Sequence, residues 1–297
     1  MTTQTPTPTH QAVQEHYGKL ASEAGSCCET PAAEKTASCC GPDSGSANVQ
    51  NPIYPVEMLN DLPADIANFT AGSGDPITLA QLKPGETVLD LGSGGGLDCF
   101  LAARQVGASG RVIGVDMTPE MLARARSAAE RLGVQNVEFR EGFLESMPVD
   151  GGSVDVIISN CVINLSPDKP QVFREMYRVL RSPDPKSGKP GGRIAVSDIV
   201  TNRPISDEER KKEDWCGCVS GALARGEYEA ELGKAGFVDI RIEPDLSMVL
   251  KAIESGQVEV RSREKLSKEE ILERVRNWES LEGNMFVPHS ITARKPV

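Results

Sequence analysis

Between Glu86 and Asp198 the chain alternates short apolar runs with longer stretches whose apolar residues recur every three to four positions. Thr87–Leu91, Gly110–Asp116, Val137–Glu141, Val154–Ser159 and Arg193–Asp198 read as strands. Asp98–Arg104, Pro119–Leu132 and Lys169–Leu180 read as helices between them. Strands separated by helices of this length mean βαβ units and a parallel sheet. The Pro- and Gly-bearing stretch RSPDPKSGKPGGR before the fifth strand predicts a surface excursion. Upstream, a helical pattern over Pro55–Phe69 runs into a turn at Thr70–Pro76. Beyond Thr201 the pattern changes: ISDEERKKEDW is a charged helix start, Glu227–Gly236 and Lys268–Asn277 read as helices, and Val238–Ile242 and Met248–Ile253 as strands. Residues 1–50 are rich in Thr, Ser, Ala, Gly and Pro, which predicts a mostly disordered, flexible N-terminal tail with one short helix over Val13–Ala24. The expected division is therefore this cysteine-containing tail, an α/β domain over 51–200 with a Rossmann-like parallel or mixed sheet, and a smaller C-terminal α+β extension over 201–297.

Composition narrows the function classes. A net charge of −11 without a long Lys/Arg run argues against a nucleic-acid partner. No apolar stretch approaches a membrane span, and the polar start MTTQTPTPTHQ has no signal-peptide core, so a cytoplasmic protein with no membrane partner is expected. In a reducing compartment its eight cysteines are not expected to form stable disulfides. CxxC spacing is absent, which removes the zinc-ribbon signature. The pairs Cys27–Cys28 and Cys39–Cys40 read either as incidental features of the tail or as thiol pairs for soft ions or redox relay.

VLDLGSGGGLDCF is a strand, a Gly-rich turn and a helix start, where backbone N–H groups approach a ligand closely. A dinucleotide fingerprint GxGxxG would need a third glycine where Leu97 stands; the pattern is GxGxG, at Gly92, Gly94 and Gly96. Asp90, just before the loop, would repel a pyrophosphate but suit a cationic amino-acid ligand. Asp116 ends the next strand, at the right distance to accept bonds from ribose hydroxyls. Phe143 and Leu144, after the third strand, are placed to flank an adenine. Over residues 86–200 these features resemble the class I S-adenosylmethionine-dependent methyltransferases, which implies S-adenosylmethionine as cofactor and adds Ser93, Met117 and Asn160 to its contacts.

Cys161 follows the fourth strand, whose end faces the ligand crevice. A buried free cysteine is ordinarily a small space-filling hydrophobe; beside a sulfonium it is an acceptor, a ligand for the acceptor, or a bystander. Cys218, in EDWCGCVSGAL, is a second thiol that a folded-over segment would bring in. GSGGGLDCF, GVDMTPEM, SNCVINLSPDK, GGRIAVSDIV and CVSGAL, in this order over about residues 75–235, resemble the arsenite methyltransferase family. The resemblance implies that Cys161 and Cys218 bind trivalent arsenic, whose lone pair attacks the cofactor's methyl group. Soft arsenic prefers thiolates, and with two thiols holding it in line most of the catalysis is orientation and desolvation. The implied partners are trivalent arsenicals, with glutathione or thioredoxin as reductant, for a monomeric enzyme. One departure stands out. Family members that methylate inorganic arsenite readily tend to carry a third cysteine within GCG before the first strand, where this chain has Ser73 in AGSGDP. Cys216 is a candidate substitute ligand, with a bystander role the alternative, and a cysteine of the tail swinging in is another candidate. Cys99 is expected to pack or line the cofactor pocket, and Tyr17 and Gly18 resemble an N-terminal element folded over the cofactor. The competing readings are a C- or O-methyltransferase of a small organic molecule, which needs no thiols at Cys161 and Cys218, and a non-catalytic thiol-rich binder of soft metals, which has no use for Asp90, the glycine turn and Asp116.

Overall fold

Strands β1 (Thr87–Leu91), β2 (Arg111–Asp116), β3 (Val137–Glu141), β4 (Val156–Asn160) and β5 (Arg193–Thr201) lie parallel in one sheet. The computed structural model describes residues 5–23, 51, 53–186, 188–206, 208, 210, 218–254, 267–280 and 285–296. Cys27, Cys28, Cys39, Cys40 and Cys216 lie outside the described residues, as does most of the charged segment 205–215.

The helices are α1 (Pro8–Glu23), α2 (Val56–Leu59), α3 (Ala64–Ala67), α4 (Pro76–Ala80), α5 (Leu97–Val106), α6 (Pro119–Leu132), α7 (Lys169–Val179), α8 (Arg225–Ala235), α9 (Leu246–Glu254) and α10 (Lys268–Arg276). Their ends follow local chemistry. α4 and α7 open on Asp75 and Asp168, whose carboxylates accept the N–H of Thr78 and Gln171, each with a proline following. α6 starts at Pro119 and stops at Gly133, which takes the left-handed conformation that favours glycine. The predicted helix over Pro55–Phe69 is two short helices, because Pro63 stands between them and starts the second.

The sheet order is β3-β2-β1-β4-β5-β8-β7. The last two members are β7 (Val238–Pro244) and β8 (Phe286–Arg294), and a two-residue strand β6 (Leu223–Ala224) pairs beside β5. β8 runs antiparallel along all of β5, from Arg193↔Arg294 to Thr201↔Phe286. The C-terminal region therefore extends the central sheet rather than forming a sheet of its own. Two apolar clusters cover the two sheet faces. One is centred on Leu89, Leu91, Phe173 and Trp278, the other on Val88, Phe100, Leu122 and Ile158.

Two further expectations are corrected. Met248–Ile253 lies in helix α9, not in a strand; an apolar run this short fits either period, and here Asp245 caps the Met248 N–H and starts a helix. The N-terminal segment is not a loose tail over residues 5–23. α1 is a 16-residue helix that buries His10, Val13, Gly18 and Ala21, packing on α6 and the 3₁₀ turn Ile163–Leu165. Small residues make this face: a side chain on Gly18 would meet the Glu120 carboxylate of α6 at 3.0 Å.

Candidate active site

A cavity of about 310 Å³ opens over the carboxyl ends of β1, β2 and β4, where parallel sheets hold their ligands. Its floor is the loop Gly92–Gly95, between β1 and α5. The Gly94 N–H donates to Asp116 Oδ2 at 2.9 Å, and the Thr118 N–H donates to Oδ1 at 2.8 Å. Asp116 thus fastens the glycine loop to the start of α6. Each of its oxygens keeps acceptor capacity for a ligand hydroxyl. Burial raises its pKa, against the hydrogen bonds from the Thr118 and Gly94 backbone.

Two more aspartates share the cavity. Asp90 is buried and accepts the Cys99 thiol at 3.2 Å. Burial, and then the charge of Asp98, raise it well above the usual carboxylate range. Asp98 accepts the Tyr54 hydroxyl at 2.8 Å and Asn160 Nδ2 at 3.2 Å. Burial pushes it up to about 6, against those two hydrogen bonds. Among the described residues no Lys or Arg lines the cavity with Asp90, Asp98 and Asp116. Buried carboxylates of this kind call for a cation, and the sulfonium and α-ammonium groups of S-adenosylmethionine supply positive charge. The residues present fit that group.

A pH dependence follows. In the free protein Asp98 takes up a proton as pH falls through about 6, and a cationic ligand must expel it to bind. Affinity for S-adenosylmethionine therefore falls as pH drops through about 6, by about tenfold per pH unit for the proton displaced from Asp98. Calorimetric titration at pH 7.5, 6 and 5 checks this; equal affinities would mean that the carboxylates do not face the cation.

Of the expected cofactor contacts, Asp90, Gly92, Ser93, Gly94, Asp116, Met117, Leu144 and Asn160 line the cavity. Gly96 and Phe143 do not. Gly96 has φ +89° and turns toward Phe100 and Phe139, where a Cβ would stand 2.9 Å from the Phe139 ring; it serves helix–sheet packing. The Phe143 ring lies tilted against that of His10, with centroids 4.8 Å apart. Asn160 lines the wall, but its amide is already engaged: Oδ1 accepts the Ser73 and Gly74 N–H groups and Nδ2 donates to Gly74 O and Asp98. It ties the 72–74 turn to the end of β4. Sequence reasoning missed Asp98, although it stands in the quoted loop, and missed His10 and Glu145, whose meeting is visible only in the fold.

Cys161 lines the cavity directly after β4. Its backbone is left-handed (φ +61°), and its N–H donates to Ser197 O at 2.7 Å. Cys218 is left-handed too (φ +61°), and its thiol donates to the Cys161 carbonyl at 2.9 Å. Non-glycine residues seldom adopt this region, and it is concentrated at functional sites. Cys218 stands behind Cys161 rather than on the cavity wall; both belong to a small apolar cluster with Val13 and Leu165, against which Tyr17, Met117 and Ile199 pack. Helix α1 closes the cavity. His10 pairs with Glu145 at 3.1 Å, Ser166 Oγ hydrogen-bonds the same carboxylate oxygen, and Gln14 Nε2 donates to Met117 O at 2.6 Å. Val13 and Tyr17, one turn apart, face the thiols and the cavity. Gly18 does not line it. Among the described residues no group of three His, Cys, Asp or Glu side chains could hold a metal ion, and no helix is long and apolar enough to cross a membrane.

Sheet order, glycine loop and acidic cavity define a class I S-adenosylmethionine-dependent methyltransferase, and a family model described as "Methyltransferase domain" matches residues 82–236. An arsenite methyltransferase of Halobacterium salinarum is 38% identical over 98% of this chain and 68% of its own length. One from Aquipseudomonas alcaligenes is 41% identical over 80% and 64%. The crystal structure of an arsenic(III) S-adenosylmethionine methyltransferase from Chlamydomonas reinhardtii superposes with a TM-score of 0.59 at 32% identity, covering 82% of this chain and 73% of that one. The chain belongs to the arsenite methyltransferase family. It spans about two thirds of the length of these two relatives and half of the human one.

Proposed function

We propose that the protein transfers a methyl group from S-adenosylmethionine to trivalent arsenic held by Cys161 and Cys218. The observation that carries this reading is the pair of buried thiols, Cys161 on the cavity wall and Cys218 behind it, with the Cys218 thiol donating to the Cys161 carbonyl at 2.9 Å. An organic C- or O-methyltransferase has no use for a second sulfur there and often needs an acid or base at the acceptor. A metal-sequestering protein has no use for the three carboxylates. When bound, the donor supplies a methyl carbon made electrophilic by its positive sulfur. Asp90 and Asp98 offset that positive charge, Asp116 accepts from the ribose hydroxyls, and Met117 and Leu144 pack at the adenosine end. Cys161 and Cys218 hold the arsenic with its lone pair toward the methyl carbon, and α1 keeps water from the pair, so the chain contributes orientation and desolvation. No base is required at arsenic, whose lone pair is already available. Residues 51–200 act as the donor-binding unit and the region from 201 supplies the second arsenic ligand. A cytoplasmic monomer, renewed by glutathione or thioredoxin, completes the reading. Incubation with labelled S-adenosylmethionine, glutathione and arsenite or methylarsenite, followed by separation of methylarsenicals, tests it; label recovered in no arsenical overturns it.

Substrate preference follows from Ser73. Arsenite bound only through sulfur needs three thiolates, whereas methylarsenite already carries one carbon and needs two. With Cys161 and Cys218 as the ligands, methylarsenite is the faster substrate. Ser73 sits in the turn that Asn160, the residue before Cys161, fastens through the Ser73 N–H, so Ser73→Cys adds a thiol to that turn and leaves the Asn160 contact, a backbone one, in place. Its expected effect is a selective rise in the arsenite rate. Initial rates on both substrates at fixed glutathione decide it; a wild-type preference for arsenite, unchanged in the mutant, would assign the third ligand elsewhere.

A further inference from the structure

Two loops carry the thiols, and a residue outside the cavity joins them. Asn164, fully buried in the 3₁₀ turn after Cys161, donates from Nδ2 to Asp198 Oδ1 at 2.9 Å and to Ile199 O at 2.7 Å. The same Asp198 oxygen accepts the Ile199 N–H at 2.9 Å. The Cys161 N–H bonds Ser197 O on that strand, so the first thiol loop is fastened to β5 at both Cys161 and Asn164. The second loop rests on the other side of Asn164. Gly221, three residues after Cys218, lies so close that a Cβ built on it would stand 1.9 Å from the Asn164 carbonyl oxygen and 3.1 Å from Lys169 Nζ. The next residue of this loop toward Cys218, Ser220, is held by Arg210, whose Nη1 donates to its carbonyl at 2.7 Å. A dithiol ligand for arsenic is useful only at one separation, and both cysteines sit in a backbone conformation that must be imposed by what surrounds them.

We propose that Asn164, clamped to Asp198 and Ile199 on β5 and abutted by Gly221, is the positioning residue that fixes the separation of the Cys161 and Cys218 thiols. It touches neither cofactor nor substrate, and its effect passes through the two cysteine loops. The proposal rests on the reading of Cys161 and Cys218 as the arsenic ligands. It predicts damage confined to ligands that need both thiols at once.

Phenylarsine oxide is such a ligand. It condenses with two thiols, forming two arsenic–sulfur bonds and releasing its oxygen with both thiol protons as one water. The experiment uses the full chain with Cys27, Cys28, Cys39, Cys40 and Cys216 replaced by serine. It compares phenylarsine oxide affinity, alkylation of each remaining thiol by iodoacetamide, S-adenosylhomocysteine affinity and melting temperature. In this background Cys161→Ser should lose capture; if it does not, the reading of the two cysteines as arsenic ligands fails first. Given that loss, Asn164→Ala and Asp198→Ala should each weaken capture at least tenfold while alkylation and S-adenosylhomocysteine binding stay within about twofold. Asp198→Asn, whose Oδ1 still accepts from Asn164, should retain capture. Gly221→Ala reaches the same contact from the other loop and keeps the test open if the Asn164 variant does not fold. Capture within threefold of the parent in both Asn164→Ala and Gly221→Ala overturns the proposal, as does a loss that the alkylation rates and the cofactor affinity share.

Discussion

Replacing Cys161 or Cys218 with serine should reduce methylation of either arsenical by about three decades or more, the equivalent of about 4 kcal/mol of transition-state stabilisation, while S-adenosylmethionine binds as before. The separation of the two effects follows from the geometry. The carboxylates proposed to offset the cationic donor are Asp90, Asp98 and Asp116, and none of them bonds to either of these thiols. A serine at 218 can still donate to the Cys161 carbonyl, so the loop contact at 2.9 Å survives and the mutation removes sulfur rather than shape. What is lost is one of two bonds to a soft centre for which a hydroxyl is a poor ligand. Calorimetry for the donor and single-turnover label transfer for the product give the two readouts. Full activity in either variant would exclude a two-cysteine site, and loss of donor binding would mean that the loop, not the thiol, had been damaged.

The central α/β unit was legible because its signals are local. Strands β1 and β3 and helix α6 have the bounds that apolar runs, Pro119 and Gly133 predict. The glycine turn, Asp90 and Asp116 could be placed on the crevice because strand ends and loops are sequence features, and parallel topology brings them together. Three kinds of information were not local. Asp98 became part of the site through Tyr54, 44 residues away, and through Asn160. β8 alternates buried and half-buried residues over nine positions, yet Pro288, His289 and Ser290 interrupt the apolar signal; β5 on one side and β7 on the other make it a strand. Phe143 was placed on the adenine by its position after β3, whereas α1 brings His10 to its ring.

Helix α1 is longer and more closely packed than the short helix expected over Val13–Ala24, and a chain lacking residues 1–23 should retain its fold but lose about a hundredfold or more in methyl transfer. The fold should persist because neither of the large apolar clusters that cover the sheet contains an α1 residue. The apolar side chains that α1 buries fully, Val13 and Ala21, are small or medium in size, so a fall of a few degrees in melting temperature is expected for about 1 kcal/mol of lost packing. Activity depends on α1 much more strongly. Val13 and Tyr17 pack against the cluster that holds both thiols, and His10, Val13, Tyr17 and Leu20 supply one wall of the cavity. Without them water reaches the sulfur pair and the donor's charged centre, which weakens every electrostatic contact there and loosens the alignment on which transfer depends. The pairing of His10 with Glu145, whose carboxylate also bonds Ser166, and the bond from Gln14 to Met117 hold the first half of α1 over the site. Thermal unfolding followed by circular dichroism, with single-turnover rates on methylarsenite, separates the two effects. An unchanged rate would remove α1 from the reacting site, and loss of cooperative unfolding would make it part of the folding core instead of a cover for the cavity.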